Sequence, residues 1–351
     1  MVKENVKVAI WGFGAMGSGM AKMLLKKQGV DIIGVCDMHP DRVGKNMFEV
    51  LEIPQNDKKN VFIYSDINDI IYENSCDIAL LATDSFTKNA FDKIKLCLEN
   101  KINVISTAEE MAYPQAQSPE LAQELEKIAT KNGVTVLGTG INPGFVLDYL
   151  ILALTGTCED VESIKASRVN DLSPFGHAVM EEQGVGITKK EFEERNEKND
   201  LAGHVGFPES IQMVADGLGI PLDKIEQTKD PIISNTSRQT PYAKVEPGNL
   251  AGIRQRGFGY SNGKLIIEMD HPQQILPEKE NISTGDYINI KGTADINLKI
   301  TPEIPGGIGT IAMCVNMIPQ VINSEPGLKT MLDLPVPRAI MGDIRTLIKK
   351  G

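Results

Sequence analysis

Two adjacent acids, Glu109 and Glu110, are the residues whose type and position best fit proton transfer. They follow a short apolar segment, residues 103–106, which has the composition of a buried strand. A carboxylate just beyond such a strand could hold an ammonium group and accept a proton from it. Acids are also favourable in the first turn of a helix, so a solvated pair at a helix start fits the same residues. The sequence leaves both interpretations open.

A second set of residues could bind a ligand. Arg168 and Asn170 lie two positions apart at the end of a predicted strand, so alternation places both on one face. An arginine beside an amide is suited to clamp a carboxylate, although a surface strand end would show the same pattern. His204 lies in a glycine-bounded loop, where it could bind a ligand or only the backbone. Thr310 is placed at a predicted helix start, where N–H groups converge, or is simply a first-turn residue.

The most specific pattern is a glycine turn between an apolar run and a helical pattern. A second apolar run, residues 31–36, then ends at Asp37, twenty positions after the last glycine of the turn. This order of strand, turn, helix, strand and acid is the dinucleotide-binding fingerprint, in which the helix N-terminus binds the pyrophosphate. The predicted phosphate-binding turn is Gly12-Phe13-Gly14-Ala15-Met16-Gly17.

The acid and the later loops complete the predicted cofactor site. Asp37 can accept hydrogen bonds from both ribose hydroxyls and would repel a 2′-phosphate, which favours NAD. Arg42 follows closely and could allow NADP, so the preference stays open. Ligands bind beyond the carboxyl ends of parallel strands. Thr83 and the pair Asn142-Pro143, which follow later predicted strands, therefore belong to the same site.

The elements that must position these residues form an α/β protein. Alternating strands and helices predict a doubly wound parallel sheet of Rossmann type in residues 1–150. Residues 151–306 read as an α+β domain with a mixed or antiparallel sheet, and we expect residues 307–351 to be helices that return to the first domain. We predict helices over residues 39–51, 66–74, 86–99, 119–132, 189–199, 204–217 and 308–322. In the second domain we predict strands over residues 161–169, 264–269, 287–292 and 295–300.

Composition narrows the class of protein. The chain has 351 residues, a net charge of −11 and 41% hydrophobic residues, which disfavours nucleic acid or an anionic membrane as a partner. The five cysteines are scattered, and no spacing suggests a metal site. Residues 1–5 lead straight into the first strand without the pattern of a signal peptide. We therefore expect a cytoplasmic enzyme that acts on a small molecule.

Five longer segments resemble the 2,4-diaminopentanoate dehydrogenase family. They span nearly the whole chain, and the later ones are specific, unlike the glycine fingerprint. The wider group includes native amine dehydrogenases and resembles dihydrodipicolinate reductase. The segments are STAEE at 106–110, GTGINPGF at 138–145, GHVGFPES at 203–210, EIPGGIGT at 303–310 and DLPVPR at 333–338.

The resemblance implies NAD(P)-dependent oxidative deamination of the C4 amine of 2,4-diaminopentanoate, a step of ornithine degradation. The products would be 2-amino-4-oxopentanoate, ammonium and NAD(P)H. It also implies that Glu109 is the catalytic acid, with its neighbour Glu110 leaving the assignment open by one residue. Arg168, Asn170, His204 and Thr310 would line the substrate pocket, and we expect a homodimer formed through the second domain's sheet.

Three alternatives remain at this stage. An amine dehydrogenase acting on simpler amines, or on keto acids such as 4-oxopentanoate, would share the same scaffold. A reductase of the dihydrodipicolinate type would need adjacent histidines, which the sequence lacks. A non-catalytic NAD sensor would show a broken site or an added DNA-binding segment, and neither is visible.

Overall fold

The computed structural model describes residues 4–56 and 58–349. Two stretches on which predictions were made lie outside the described residues. They are residues 1–3, part of the segment judged to lack a signal-peptide pattern, and residues 350–351, at the end of the third predicted domain. The chain divides into two units, Met1–Phe145 with Gly306–Gly351, and Val146–Pro305.

The strands of the described residues are numbered in chain order. They are β1 (Val6–Trp11), β2 (Val30–Cys36), β3 (Ile63–Tyr64), β4 (Ile78–Leu81), β5 (Asn103–Ser106), β6 (Thr135–Gly138), β7 (Asp160–Asp171), β8 (Lys224–Ile233), β9 (Arg238–Gln239), β10 (Lys244–Val245), β11 (Leu250–Ser261), β12 (Lys264–Gln274), β13 (Gly285–Thr293), β14 (Ile296–Ile300) and β15 (Gly327–Lys329).

The helices are numbered in the same way, and the described residues also contain five short 3-10 helices. The α-helices are α1 (Ala15–Leu24), α2 (Met47–Val50), α3 (Thr87–Glu99), α4 (Pro119–Asn132), α5 (Tyr149–Thr155), α6 (His177–Glu182), α7 (Lys189–Glu197), α8 (Phe207–Leu218), α9 (Gly306–Asn316) and α10 (Ile318–Asn323). The 3-10 helices are Ile67–Asp69, Glu109–Ala112, Pro114–Ala116, Pro277–Glu280 and Ile344–Leu347.

The first unit is built on a seven-stranded sheet in the order β15-β6-β5-β4-β1-β2-β3. All of its strand pairs are parallel. The order reverses direction at β1, which lies between β4 and β2, as expected of a doubly wound sheet. Strand β4 is buried on both faces, because helices cover both sides of such a sheet. The predicted fold of this domain is confirmed.

Two predicted helices of the first unit are largely wrong. Only Met47–Val50 is α-helical in residues 39–51, because Gly44 takes a left-handed φ of 80° and its N–H donates to Ile63 O. In residues 66–74 only Ile67–Asp69 is helical, as a 3-10 turn. Asn74 has a φ of 58° and donates its N–H to Asn100 O, which directs the chain away from a helix.

The C-terminal segment completes the first unit. Strand β15 pairs with β6 at the edge of the parallel sheet. Helix α9 packs on α1 so closely that a Cβ on Gly19 would lie 2.2 Å from Ile311 Cδ1. The predicted single helix over residues 308–322 is two helices, α9 and α10, since Pro319 lacks the N–H needed to continue the first.

The second unit is built on a six-stranded sheet in the order β14-β13-β7-β12-β11-β8. Strands β7 and β12 are parallel, and the other neighbours are antiparallel. The mixed α+β sheet that the sequence predicts is therefore confirmed. The predicted helix over residues 204–217 begins at Phe207, because Gly206 takes a φ of 118° that a helix cannot contain.

Two long strands of this sheet, β8 and β11, do not appear among the strands that the sequence predicts. Gly257 and Gly259 of β11 are not loop residues, because their missing side chains make room for α8. A Cβ on Gly257 would lie 2.8 Å from Ile211 Cδ1, and one on Gly259 would lie 2.8 Å from Ile211 Cγ2. Close approach of a helix to a strand explains these glycines.

Candidate active site

The glycine turn between β1 and α1 has the shape that a pyrophosphate requires. Gly12 takes a φ of 91°, and a Cβ on Gly17 would lie 1.8 Å from Gly12 O, so both positions exclude a side chain. A Cβ on Gly14 would meet nothing within 4 Å, which leaves open space above the turn. Helix α1 has no side-chain cap and no acid in its first turn. Its N-terminal N–H groups therefore suit a phosphate.

Asp37 is held by the same turn. Its Oδ2 accepts from Phe13 N at 2.6 Å and from Arg42 Nη1 at 3.2 Å, and its Oδ1 accepts from His39 N at 2.7 Å. Burial alone would raise the pKa of Asp37, but the two backbone bonds and the Arg42 charge lower it overall. Asp37 is thus an anion with one of its oxygens still able to accept a further hydrogen bond.

The other predicted cofactor residues lie in loops beyond β4 and β6. The Thr83 hydroxyl donates to Asp84 Oδ2, which also binds Lys93 Nζ at 2.6 Å. Asn142 and Pro143 belong to a loop that Thr310 fastens, since Ile141 N donates to Thr310 Oγ1 at 3.2 Å. Thr310 was expected at a helix start, but α9 begins at Gly306, which puts Thr310 in its second turn.

The two neighbouring acids occupy different environments. Glu110 Oε2 accepts from Thr87 N at 2.8 Å, at the start of α3. Burial raises the pKa of Glu109 to about 7, and the charge of Glu110 also raises it. Hydrogen bonds from Glu109's own backbone and from the Ser85 side chain act the other way. Glu109 can therefore exchange a proton near neutral pH, whereas Glu110 caps a helix.

In the second unit, Arg168 is part of a closed ring of polar contacts. Its Nη1 donates to Asp286 Oδ1 at 2.5 Å and its Nη2 to Ile304 O at 2.5 Å, while Ile304 N donates to Asp286 Oδ2 at 2.9 Å. Both charged side chains are almost fully buried, at 2% and 1% exposure. Arg168 therefore anchors the chain near Ile304 and already has a carboxylate partner.

Asn170 and His204 lie in the same buried cluster as Arg168. Asn170 Oδ1 is 3.0 Å from His271 Nε2, and the His271 ring is 4.8 Å from the His204 ring in an edge-on arrangement. Burial, and then the Arg168 charge, lower the pKa of His204 to about 3. Burial, with His204 and Arg168 behind it, also lowers the pKa of His271 well below its usual value. Both rings are neutral at physiological pH.

The backbone of His204 is fixed by a single side chain. Gln255 Oε1 accepts from His204 N at 2.7 Å, and Gln255 Nε2 donates to His204 O at 2.9 Å. A Cβ on Gly203 would lie 2.3 Å from Gln255 Oε1, so the loop needs glycine before the histidine. This clamp fixes the histidine backbone next to the buried cluster.

Sequence reasoning did not single out Asp286, His271 or Gln255 as members of the cluster. Asp286 and His271 enter it through the pairing of β13 and β12 with β7, and this long-range register leaves no local signal. Ser85 could have been predicted as a site residue, because it belongs to the loop after β4 that also carries Thr83. Among the described residues, no group of three or more His, Cys, Asp and Glu side chains could hold a metal ion.

Comparison with known proteins gives the chain its relatives. Residues 145–350 match the family model of the 2,4-diaminopentanoate dehydrogenase C-terminal domain. Residues 6–139 match the oxidoreductase family with an NAD-binding Rossmann fold. The chain is 57% identical to 2,4-diaminopentanoate dehydrogenase of Acetoanaerobium sticklandii, over 99% of this chain and 98% of that protein.

Two amine dehydrogenases are more distant relatives. The chain is 22% identical to one from Streptomyces virginiae, over 95% of this chain and 98% of that protein. It resembles the solved structure of amine dehydrogenase from Mycobacterium smegmatis with a TM-score of 0.84 and 25% identity. That likeness covers 97% of this chain and 98% of the other. The protein is an oxidoreductase with a nicotinamide cofactor, and it belongs to the 2,4-diaminopentanoate dehydrogenase family.

Proposed function

We propose that the protein oxidatively deaminates the C4 amine of 2,4-diaminopentanoate with NAD(P)+. Substrate, NAD(P)+ and water give 2-amino-4-oxopentanoate, ammonium, NAD(P)H and a proton. Membership of the family and the 57% identical relative support this reaction. The single structural observation that carries it is the partly buried carboxyl of Glu109, which lies beyond the end of β5 and whose pKa is raised to about 7. The place of the reaction in ornithine degradation is part of this proposal.

Glu109 supplies the base that this chemistry needs. An alkyl amine is an ammonium ion at neutral pH, and its carbon cannot release hydride until the nitrogen has lost a proton. The hydride acceptor would be the nicotinamide of a coenzyme that the glycine turn and Asp37 would hold. A base with a pKa near the working pH combines a populated carboxylate with a useful driving force for proton uptake. Burial gives Glu109 this property, since a solvated glutamate would bind protons too weakly.

The proton taken by Glu109 has a later use. Loss of hydride leaves an iminium ion, to which water adds at the carbon. The attacking water loses one proton to solvent as it adds. The carbinolamine can release its nitrogen only after that nitrogen is protonated, and the carboxylic acid of Glu109 returns the proton in this proposal. The ketone then forms as ammonia leaves, and the ammonia takes the hydroxyl proton and departs as ammonium. The carboxylate is regenerated at the end of the cycle.

Glu109→Gln tests this assignment. General-base catalysis typically contributes about 10²–10⁴-fold to the rate, and we expect kcat to fall within this range. The measurement is the absorbance of the reduced coenzyme with 2,4-diaminopentanoate as substrate. Glu110→Gln keeps an oxygen for Thr87 N and serves as the matched variant, expected to retain most of kcat. A dead Glu110→Gln beside an active Glu109→Gln would reverse the assignment.

An amine dehydrogenase that acts on simpler compounds is the second candidate. The likeness to the amine dehydrogenase of M. smegmatis supports it. The same assay should therefore include ornithine, a simple secondary alkyl amine and, in the reductive direction, 4-oxopentanoate with ammonium. Turnover of these compounds at a kcat/KM equal to or above that of the diamino acid would favour the second candidate.

We propose that Arg168, Asn170 and His204 bind the amino-acid end of the substrate and that Thr310 is a further substrate contact. The pairing of Arg168 with Asp286 changes the nature of the predicted clamp. The cluster offers neutral rings, an amide and a compensated ion pair rather than a free positive charge. Asn170→Ala should raise KM more than it lowers kcat, as expected for uniform binding. A change in kcat alone would contradict this role.

The coenzyme preference is proposed to be NAD with tolerance of NADP. Asp37 is an anion that favours ribose hydroxyls over a 2′-phosphate, which supports NAD. The Arg42 side chain pairs with it while 32% exposed, so it could turn to a phosphate. Asp37→Ala should raise KM for NAD+ by about tenfold or more and change that for NADP+ less. Equal losses for both coenzymes would remove Asp37 from the preference.

We propose that two copies associate through the second unit's sheet. The face opposite α8 carries Arg254, Arg256, Phe258 and Tyr260 in alternation on β11. Arg256 Nη2 binds Asp230 Oδ2 at 2.8 Å, and its guanidinium lies 5.9 Å from the Phe258 ring centre. Charges that are already paired can be buried against a second copy at lower cost than isolated ones.

Light scattering tests the association. We expect a dimer mass for the wild type and a monomer for Phe258→Glu, with Tyr242→Glu, on an exposed tyrosine, as the control. A wild-type monomer at micromolar concentration, or a dimeric Phe258→Glu, would contradict the proposal.

In the described residues, no helix is long and apolar enough to cross a membrane.

The cytoplasm is the proposed compartment. All five cysteines are free, and Cys36, Cys76, Cys97 and Cys314 are buried. Burial raises the pKa of Cys36 to about 11 and that of Cys76 to about 12, which makes these thiols unreactive. Unpaired cysteines are typical of a reducing compartment. Fractionation of the native host should recover the protein with cytoplasmic enzymes, and recovery with secreted proteins would contradict this.

A further inference from the structure

Two buried glutamine side chains of the second unit each have a polar atom that the fold leaves unused. Gln183, which ends α6, is 6% exposed, and Gln273 of β12 is 8% exposed. Among the described residues, Gln183 Oε1 and Gln273 Nε2 have no hydrogen-bond partner. Buried polar groups are nearly always paired, because an unsatisfied one costs stability. One buried acceptor and one buried donor therefore need an explanation.

Gln273 lies on the sheet face that carries the buried cluster. It is the register partner of Asn170 on the neighbouring parallel strand β7. It is also two positions from His271 on β12, and residues two apart share a face. Asn170 Oδ1 and His271 Nε2 are 3.0 Å apart, so this face is continuous in polar groups. The N–H donor of Gln273 therefore belongs to the surface that we propose binds the substrate.

Gln183 is fastened to the histidine loop. Its Nε2 donates to Gly203 O at 2.7 Å. Gln255 holds the backbone of the next residue, His204, at both its N–H and its carbonyl. The His204 ring is in turn 4.8 Å from the His271 ring. Gln183 Oε1 is thus an acceptor beside a loop whose position is fixed against the cluster.

Helix α6 brings Gln183 to the end of the two parallel strands. Met180 of this helix packs in one apolar group with Leu172 and Ile275. These two residues directly follow β7 and β12, the strands that carry Asn170 and Gln273 near their ends. The acceptor of one glutamine and the donor of the other therefore border the same end of the cluster.

We propose that Gln273 and Gln183 recognise the amino-acid end of the substrate, with Gln273 Nε2 donating to the carboxylate and Gln183 Oε1 accepting from the C2 ammonium. This assignment rests on the proposed function and names the residues that select its substrate. A zwitterionic group satisfies both amides and adds no net charge beside Arg168, which Asp286 already compensates. A compound without one of the two groups would leave one amide unsatisfied, and such sites reject analogues strongly.

Three substrates separate the two roles in the coenzyme assay. 2,4-Diaminopentanoate carries both groups, 4-aminopentanoate lacks the C2 ammonium, and butane-1,3-diamine lacks the carboxylate. Gln273→Met should raise KM by about tenfold or more for the two carboxylates and leave that of the diamine near the wild-type value. Gln183→Met should raise KM to a similar extent for the two diamino compounds and change that of 4-aminopentanoate less.

Gln183→Glu is the matched variant for Gln183→Met. Both lose the donor to Gly203 O, but only the glutamate keeps an acceptor, so its KM for the diamino compounds should be closer to that of the wild type. Gln239→Met, at an exposed glutamine of β9, should leave all three KM values unchanged. Equal effects of Gln273→Met on the three substrates, or equal KM values for the two Gln183 variants, would overturn the proposal.

Thermal unfolding distinguishes ligand recognition from a structural role. Gln273→Met removes an N–H donor that no described group accepts from, so the melting temperature should stay at or above that of the wild type. Gln183→Met and Gln183→Glu should both lower it by similar amounts, because both lose the bond to Gly203 O. A lower melting temperature for Gln273→Met, with unchanged KM for the carboxylates, would assign this amide to the fold and overturn its proposed role.

Calorimetry in the presence of NAD+ separates this proposal from the proposed reaction. The probe is 2-aminopentanoate, which has the amino-acid end but no C4 amine. It should bind the wild type about tenfold or more tightly than pentanoate, and Gln273→Met and Gln183→Met should each weaken it. If these losses occur but 2,4-diaminopentanoate is not oxidised, the reaction fails and the recognition stands. If the reaction holds and the wild type shows no preference for 2-aminopentanoate, the recognition fails.

Discussion

The loop around Glu109 and the cluster around Arg168 both bury ionisable groups, but burial has opposite results in the two regions. Burial raises the pKa of Glu109 to about 7. In the second unit, His204 has a pKa lowered to about 3, and Arg168 keeps its charge beside Asp286. The first region keeps one proton exchangeable near neutral pH. In the second region the two histidines stay neutral at physiological pH, so their rings act as fixed dipoles rather than as charges.

The largest effect expected from this comparison is on stability. Asp286→Asn removes the charge that compensates buried Arg168, and breaking such a pair costs about 3–5 kcal/mol. Urea unfolding at neutral pH measures the loss. Asp230→Asn is the matched control, because Asp230 pairs with Arg256 on the same sheet at 46% and 35% exposure and should cost about 1 kcal/mol or less. Equal losses for the two variants would contradict a structural role for the Arg168 pair.

The next effect is the acid sensitivity that the second unit's histidines produce. Their pKa is near 6.5 in the unfolded chain and far lower in the folded protein, so the unfolded state binds the extra protons. Stability is therefore full above pH 6.5 and falls as the pH drops below that value, by up to about 1.4 kcal/mol per pH unit for each histidine. His204→Gln should remove about half of this combined slope in unfolding measurements between pH 5 and 7.

The control for that slope is His177→Gln, at an exposed position on α6. It should leave the dependence of stability on pH close to that of the wild type. If His204→Gln also leaves the slope unchanged, then His204 is protonated in the folded protein and the contrast between the two regions disappears.

The smallest effect has the opposite sign and comes from Glu109. Its pKa is raised from 4.5 to about 7 on folding, so here the folded state binds the extra proton. Its contribution to stability is full below pH 4.5 and is lost as the pH rises to 7, at up to about 1.4 kcal/mol per pH unit. Glu109→Gln should flatten this fall. An unchanged fall would mean that Glu109 titrates like a solvated acid.

The sequence predicts well where local signals and burial agree. Strand β5 and helix α4 have the predicted bounds, because α4 begins at Pro119 and is ended by Gly133 in a left-handed conformation. The glycine turn is local only in part. The Gly12 carbonyl excludes a side chain at Gly17, whereas the space at Gly12 is limited by the distant Ala82 O, 2.4 Å from where its Cβ would lie. The local sequence does not predict helix ends that are set by hydrogen bonds to distant residues, such as the bond from Gly44 N to Ile63 O.

The candidate site was predictable in part for the same reason. Glu109 and Glu110 follow a recognisable strand, but the sequence does not show which of the two faces Ser85 and which caps α3. The contact of Glu110 with Thr87 N spans 23 residues and decides the matter. The partner of Arg168 is 118 residues away, and only the register of β13 on β7 brings it there.

The return of the chain to the first sheet has a consequence for how the protein is made. The nucleotide-binding sheet lacks its edge strand β15, and α1 lacks its neighbour α9, until the last part of the chain has been synthesised. On the ribosome, residues 6–138 emerge with the edge of β6 unpaired and with Gly19 uncovered. The second unit is complete in sequence before the first, so a fragment cut near residue 145 is an unfinished domain rather than a separable coenzyme-binding module.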